Sequence, residues 1–569
     1  MAIRGIEAFL ELLSTSGVRY IFGNPGTTEL PLNDVIAGNP QAFEYILGLQ
    51  EVPLVAMADG FAMAGRTLGV VNLHTCCGLG NAMGMIYNAY REGTPLLITA
   101  GQQDQRLSFE EPILWGNMVE VVRPWTKYAV EVRRVEDLVR ATRRAIQAAL
   151  TPPRGPVFMS LPLDVQLAMM EGLDENVDFF GIPDCRVSPP KSSLEMAADT
   201  LRHAQNPAIL VGSRVQEADA VGALVQLAQT LGAPVISESG TTHGRLSFPC
   251  KHPLYAQGLP LWAPEIFERL KLYDVLLVVG MDLLRQYVFH EPARTIPEHI
   301  KLIHLDEDPY QLNKNYALEI GLLGETKTSI LELDVVLTKQ MTMEQQDRAR
   351  ERKRRIAEEH TVQRVAAHQE CAAVCDQRPL APATFMEAIA RVLPPDVAVV
   401  EEAVTTTNTM LERLGALKNT SGYFGHRGWA LGWGLGVTIG AKLAWPDRPV
   451  LGILGEGAAM YGIQGLWSAA HHNIPATFVI ANNAQYQILK IGAASMNLPH
   501  AKAGQFEGMD LIEPEVDMVG IAKALGIDAI RVTEPDELSE ALKVSFAGNK
   551  PRLIDVPISR TVPGRLNYG

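Results

Sequence analysis

Two stretches of this chain, LHTCCGLGNAMGMIYNAYREGTPLLITAG and LGILGEGAAMYGIQGLWSAAHHNIPATFVIANNAQYQILK, follow one plan. Each passes through a glycine turn into a small-residue helix, then through a proline into an apolar strand. Pro95 and Pro475 hold equivalent places 380 residues apart, each about 17 residues past its glycine turn. Strands alternating with helices in this way imply parallel sheets. The repeat points to two related α/β domains in one chain; chance similarity of two doubly wound segments is the alternative.

The second copy carries oxygen donors at both strand ends. The strand Val450 to Leu454 ends at Gly455-Glu456-Gly457, and Asn483 follows Glu456 by 27 residues at the end of the strand Thr477 to Ala481. In a parallel sheet both ends fall on one edge, where ligands bind. A carboxylate and an amide there suit a hard divalent cation, and small residues let backbone N–H groups approach a diphosphate at a helix N-terminus. In the first copy His74 ends the strand VVNLH, so its imidazole should face the cleft. An ordinary imidazole titrates near pH 6.5, which suits proton exchange. Upstream, Glu51 stands between an apolar strand and a helix carrying Val52, Val55, Ala56, Asp59 and Ala62. Poorly solvated by such neighbours, it could exchange a proton near neutrality. Its alternative role is as a dipole partner at a helix start.

With 569 residues the chain should hold three or four domains, and 47% hydrophobic against 20% charged residues describes a soluble globular protein with large buried sheets. A net charge of −14 argues against nucleic-acid or anionic-membrane partners, so local groups must draw in an anionic substrate. The opening MAIRGIEAFLELLSTSGVRYIFG reads as an amphipathic helix entering a strand, not a signal peptide. No run of about 18 apolar residues predicts a membrane span. Six cysteines make no disulfide framework, and Cys371 with Cys375 lacks a second ligand pair for zinc; free thiols in a reducing cytoplasm are expected. Composition predicts a first domain over 1–180, a middle domain over 190–340, a charged helical linker over 341–378, a third domain over 379–558 and a polar tail over 559–569.

GNPG-x-x-E-L-P, LQE, LH-x-x-x-G-x-GNAMG, TAGQQ (Thr99 to Gln103) and L-W-x-A-A-x-x-N-I-P stand in order along the chain. Together they resemble the thiamine diphosphate-dependent enzymes, closest to the benzoylformate decarboxylase and acetolactate synthase-like branches. The resemblance implies an α/β fold of three doubly wound parallel-sheet domains: pyrimidine-binding, middle and diphosphate-binding. It implies that Glu51 protonates the cofactor's pyrimidine ring, that Leu431 wedges between its two rings, and that the Trp429 carbonyl accepts its amino group. Glu456, Asn483 and the carbonyl of Gln485 would hold magnesium (or calcium or manganese). Gly457, Ala458, Asn483 and Tyr486 would contact the cofactor. Thr405 and Thr406 resemble diphosphate-contacting hydroxyls, or else cap the following helix. His74 would exchange protons with the substrate and Thr27 would touch its carboxylate; His290 corresponds to a second histidine, with Tyr287 competing for the place. Relatives sometimes place a flavin or nucleotide in the middle domain, but VGSRV gives no complete glycine fingerprint.

Two positions depart from the pattern. Glu456 stands where the family has aspartate, and His426-Arg427 stands where benzoylformate decarboxylase has small residues. An arginine there would favour an anionic substrate or acceptor, or would bind a neighbouring domain. The implied activity is a magnesium-dependent, non-oxidative decarboxylase of a 2-oxo acid with possible carboligase activity, in a homodimer or homotetramer. The alternatives are an acetolactate synthase-type transferase making a 2-hydroxy ketone and, in another class, a cofactor-binding scaffold without catalysis.

Overall fold

Strands such as Leu96–Gln102, Val157–Pro162, Pro207–Val211 and Thr477–Asn482 are buried along their whole length. Strands of that kind need cover on both faces, as parallel sheets layered with helices provide. The computed structural model describes residues 2–172, 184–238, 244–260, 262–285, 294–425 and 427–562. Three six-stranded, wholly parallel sheets are present among them.

The first sheet runs in the order Glu44–Leu47, Tyr20–Gly23, Gly69–Leu73, Leu96–Gln102, Val157–Pro162, Tyr128–Glu131. The third sheet runs Tyr423–Gly425, Ala398–Glu402, Val450–Gly455, Thr477–Asn482, Arg552–Pro557, Asp528–Arg531. Counted within each domain, both orders read 2-1-3-4-6-5. The two sequence stretches therefore occupy the same place in two copies of one topology. The middle sheet differs, running Tyr255–Gly258, Val235–Ser237, Pro207–Val211, Val275–Val279, Lys301–Asp306, Ile320–Leu323, or 3-2-1-4-5-6.

The 31-residue helix Met343–Ala373, opened by a Thr342–Gln345 capping box, connects the middle and third domains. Its mostly polar surface is not wholly solvated. Arg352 donates to the Leu231 and Gly232 carbonyls, and Arg364 to those of Cys250 and Leu414. Among the described residues no helix is long and apolar enough to cross a membrane.

The first and third domains meet through two topologically equivalent helices, each following the second strand of its domain. Glu51–Gly65 lies against Trp433–Ala444 with backbones nearly touching. A Cβ on Gly440 would lie 1.9 Å from the Met57 carbonyl oxygen, one on Gly436 2.5 Å from the Ala56 Cβ, and one on Gly60 2.4 Å from the Val437 carbonyl oxygen. Only hydrogen fits at these positions. The Trp433 indole N–H donates to Asp59 Oδ2 at 2.7 Å across the same contact, and burial pushes the Asp59 carboxyl up to about 6.

Gly440→Ala is therefore expected to destabilise the protein by about 1–3 kcal/mol through overpacking. Gly222→Ala, in a helix where an added Cβ meets nothing within 4 Å, should be neutral or stabilising by up to about 1 kcal/mol. Urea or thermal unfolding of the two variants beside the parent chain checks the contrast.

Candidate active site

Open parallel sheets bind ligands beyond the carboxyl ends of their strands, where the strand order reverses. In the first domain that point lies between Tyr20–Gly23 and Gly69–Leu73. The loop after the first of these carries Thr27, Thr28 and Glu29, and His74 follows the second. Glu29 is buried, and its carboxylate organises the whole corner. Oε1 accepts from the Thr28 hydroxyl and from the Gly101 N–H at 2.8 Å each. Oε2 accepts from the Gly26 N–H at 3.1 Å and pairs with His74 Nδ1 at 2.8 Å. The imidazole ring crosses the space above Gly26, where a Cβ would lie 2.0 Å from Nδ1. His74 is thus anchored through Nδ1. Thr27 is exposed beside it.

Glu51 opens its helix behind Gln50, whose side chain accepts the Val52 N–H. Its own carboxylate points elsewhere, Oε1 accepting from Asn24 at 3.2 Å and Oε2 from Asn81 at 3.0 Å. Gly78 lies close to it, since a Cβ there would stand 3.3 Å from Oε1. Two amides, one from the loop after Tyr20–Gly23 and one from the helix Thr75–Glu92, fix one carboxylate, which a dipole partner at a helix start would not require.

In the third domain Glu456 and Asn483 follow adjacent strands and converge, both buried. Glutamate's extra methylene lets the carboxylate fold over the next loop: Oε1 accepts the Gln485 N–H at 3.1 Å and Oε2 the Asn483 N–H at 3.4 Å. Asn483 Oδ1 also accepts the Gln485 N–H at 3.1 Å. Burial pushes the Glu456 carboxyl up to about 7, outweighing the backbone N–H groups that it accepts. Among the described residues no cluster of three His, Cys, Asp or Glu side chains could hold a metal ion. A cation here would take one carboxylate plus amide and carbonyl oxygens, a hard set that would suit magnesium, calcium or manganese. The residues present fit that group. Ala458 is buried just beyond, and a Cβ on Gly457 would lie 2.8 Å from the Tyr486 ring.

Thr405 and Thr406 lie in the short helix Val404–Thr407, whose N-cap Ala403 makes no side-chain cap bond; nor does Thr409, the N-cap of the next helix. The capping alternative for the two threonines finds no bond to support it. Trp429 and Leu431 are half-buried in the loop before Trp433–Ala444. Asn88 clamps this loop from the first domain, donating to the Ala430 carbonyl at 2.7 Å and accepting its N–H at 3.1 Å. Glu402 caps the helix that follows, accepting the N–H groups of Gly432 (3.0 Å), Trp433 (3.1 Å) and Gly434 (2.9 Å).

Four of these segments contain non-glycine residues at positive φ: Thr75 (46°) after the His74 strand, Asn408 (39°) with Thr409 (52°), Trp429 (67°), and Ala484 (46°). Such strain collects where surrounding structure over-determines a functional loop. The start of the tail crosses the Asn483 loop. Gln485 and Gln487 donate to the Arg560 and Thr561 carbonyls at 2.9 and 2.7 Å, and Val562 packs against Ile491 with Trp429.

Arg427 does not open onto either edge. It is 3% exposed and lies 3.3 Å from Asp282 of the middle domain, as the neighbouring-domain reading requires. His290, Tyr287 and His426 lie outside the described residues. Sequence reasoning passed over Asn24, Glu29, Asn81, Asn88 and Glu402. Three of them stand inside the quoted motifs, so their positions were visible and their partners were not.

Family models for the thiamine pyrophosphate (thiamine diphosphate) enzymes match the chain in three places: the N-terminal TPP binding domain at 3–112, the central domain at 194–333 and the C-terminal TPP binding domain at 404–556. Over 559 residues the chain is 33% identical to a benzoylformate decarboxylase of Pseudomonas aeruginosa, covering 98% of this chain and 99% of that one. It is 26% identical over 570 residues to a probable acetolactate synthase large subunit of Methanocaldococcus jannaschii, covering 98% and 92%. Its structure resembles the thiamine diphosphate-dependent 4-hydroxybenzoylformate decarboxylase of Rhodococcus jostii RHA1 with a TM-score of 0.85 at 28% identity, covering 99% and 100% of the two chains.

Burial outweighs three N–H donors at Glu402 and pushes its carboxyl up to about 7, from an ordinary 4.5. A carboxyl whose folded value is raised binds its proton more tightly in the folded state, so stability falls as pH rises between those values. The stability advantage of the parent chain over Glu402→Gln should shrink, by up to about 3 kcal/mol, between pH 5 and 8. Melting temperatures of both proteins across that range check it.

Proposed function

This chain belongs to the thiamine pyrophosphate enzyme family, and from that premise we propose that it is a magnesium-dependent, non-oxidative decarboxylase of a 2-oxo acid. The observation that carries this reading is the His74–Glu29 pair beside the exposed Thr27 hydroxyl, on the same sheet edge as the twice-anchored Glu51. The 33% identity with a benzoylformate decarboxylase over nearly the whole chain supports it.

Thiamine diphosphate, when bound, supplies a nucleophilic carbon and an electron sink for decarboxylation. The chain's residues do the rest. Glu51 holds and returns a proton at the pyrimidine side, its oxygens oriented by Asn24 and Asn81. Trp429 would offer its carbonyl to the pyrimidine's amino group, and Leu431 would support the cofactor's two rings. Glu456, Asn483 and the Gln485 carbonyl hold the metal; Thr405, Thr406, Gly457 and Ala458 face the diphosphate, with Tyr486 against Gly457. At the substrate, Thr27 donates its hydroxyl to the carboxylate, and its methyl group narrows the pocket. His74, its Nδ1 engaged by Glu29, exchanges protons through Nε2. His290 is kept as a candidate second histidine.

The active assembly in this reading is a homodimer or homotetramer, in which the first domain of one protomer faces the third domain of its partner. Leu30, Phe109 and Ile113, exposed at 59, 97 and 85%, lie near the first domain's edge and support burial by another chain.

The test is a product assay with thiamine diphosphate and magnesium on pyruvate, branched-chain and aromatic 2-oxo acids. Aldehyde with one equivalent of carbon dioxide is expected. A 2-hydroxy ketone as the main product assigns a synthase-type transferase instead, and no turnover by cofactor-loaded protein means that the substrate is not a simple 2-oxo acid. Glu51→Gln should lower turnover by about 10²–10⁴-fold while still quenching tryptophan fluorescence on binding thiamine diphosphate.

A further inference from the structure

The middle sheet's order 3-2-1-4-5-6 puts its reversal point between Pro207–Val211 and Val275–Val279, the crevice where an open α/β sheet ordinarily takes a ligand. Charged side chains of the protein itself meet there. Arg214 lies 2.9 Å from Asp282 through Nη1, and 3.1 and 2.8 Å from Asp306 through Nε and Nη2. Arg427 enters from the third domain. Its Nη2 stands 3.3 Å from Asp282 Oδ1, a charge contact without hydrogen-bond alignment. Burial opposes ionisation of Asp282, yet Arg427, Arg214 and Arg285 together hold its carboxyl well below the usual range.

The backbone around Arg427 is gripped as well. Its N–H donates to Glu92 of the first domain and its carbonyl accepts from Arg285 at 3.1 Å. Gly425 N–H donates to the Gly244 carbonyl at 2.6 Å, and a Cβ on Gly428 would meet Asn88 Oδ1 at 2.1 Å. All three domains therefore hold the segment that ends in Trp429, at φ +67°, and Leu431.

We propose that Asp282 is a positioning residue for the Trp429–Leu431 loop: the crevice of the middle sheet serves as a socket for the chain's own Arg427. The middle domain thereby sets the geometry of a cofactor-binding loop from a distance. The inference rests on the proposed roles of Trp429 and Leu431, and the experiment separates the two.

Asp282→Asn, Arg427→Gln and the double variant are made in the full-length chain. Asp334→Asn, a buried middle-domain carboxylate that accepts from Gln226 at 2.6 Å, is the control for general destabilisation. Each single variant should weaken thiamine diphosphate binding about tenfold, read by fluorescence titration at saturating magnesium. Amide hydrogen exchange over residues 425–432 should speed up in the cofactor-free protein. KM for the fastest 2-oxo acid of the panel should stay within about twofold once cofactor saturates, because the substrate corner is untouched. The double variant should bind no more weakly than the worse single one, and Arg427→Lys should recover part of the loss. Asp334→Asn should lower the melting temperature without moving cofactor affinity.

Singles that only lower the melting temperature, as the control does, overturn the proposal, as do losses that add in the double variant. Faster exchange with unchanged affinity also overturns it. In that case Leu431→Ala identifies what failed: unchanged affinity there means that the loop does not hold cofactor, and weakened affinity means that the socket does not govern it.

Discussion

Backbone contact between Glu51–Gly65 and Trp433–Ala444 leaves no side-chain layer between the first and third domains at Gly60, Gly436 and Gly440. Close-packed interiors transmit displacement instead of absorbing it. Both helices begin at the candidate site: Glu51 is the first residue of one, and Leu431 lies two residues before the other. A fixed distance between helix axes is thus also a fixed relation between the Glu51 carboxylate and the Trp429–Leu431 loop. The Asp59–Trp433 hydrogen bond adds a direction to that contact, since an indole N–H has a single acceptor line.

The middle domain is joined by charge. Arg214, Asp282, Asp306 and Arg427 are all nearly or wholly removed from water. Burying ion pairs gains little stability against an apolar replacement, while stranding one partner is costly. The Arg214–Asp282–Asp306 pairs lie within the middle domain, and any other docking of the third domain would leave Arg427 without its Asp282 partner. Shape fixes the first domain to the third, and charge joins the middle domain to the third through Arg427–Asp282 and to the first through Arg91–Asp282 and Arg66–Asp219, at 3.6 and 3.1 Å.

The sheets were legible because fully buried parallel strands are written as uninterrupted apolar runs, and strand ends carry the functional side chains. Glu51, His74, Glu456 and Asn483 all stand at such ends. The supporting polar residues were not legible. Glu29 sits in the quoted GNPG motif, yet its partners Gly101 and His74 come from other strands. Asn88 reads as one more polar position in a helix until Ala430, 342 residues away, is placed against it. Arg427 left two readings open because its partner belongs to a domain whose docking the sequence does not encode locally. The extra methylene of Glu456 was visible, but the backbone N–H groups it folds onto were not.

The identical strand orders of the first and third domains have a consequence for how such a protein diversifies. His74 and Glu456 both follow the third strand of their domain, so one backbone address carries an imidazole in one copy and a carboxylate in the other. A duplicated scaffold of this kind lets heredity explore each half separately. A substitution after a strand in one copy leaves its counterpart intact as a working reference. Divergence then proceeds by reassigning equivalent positions, which keeps the hydrogen-bonded ladders beneath them out of the experiment.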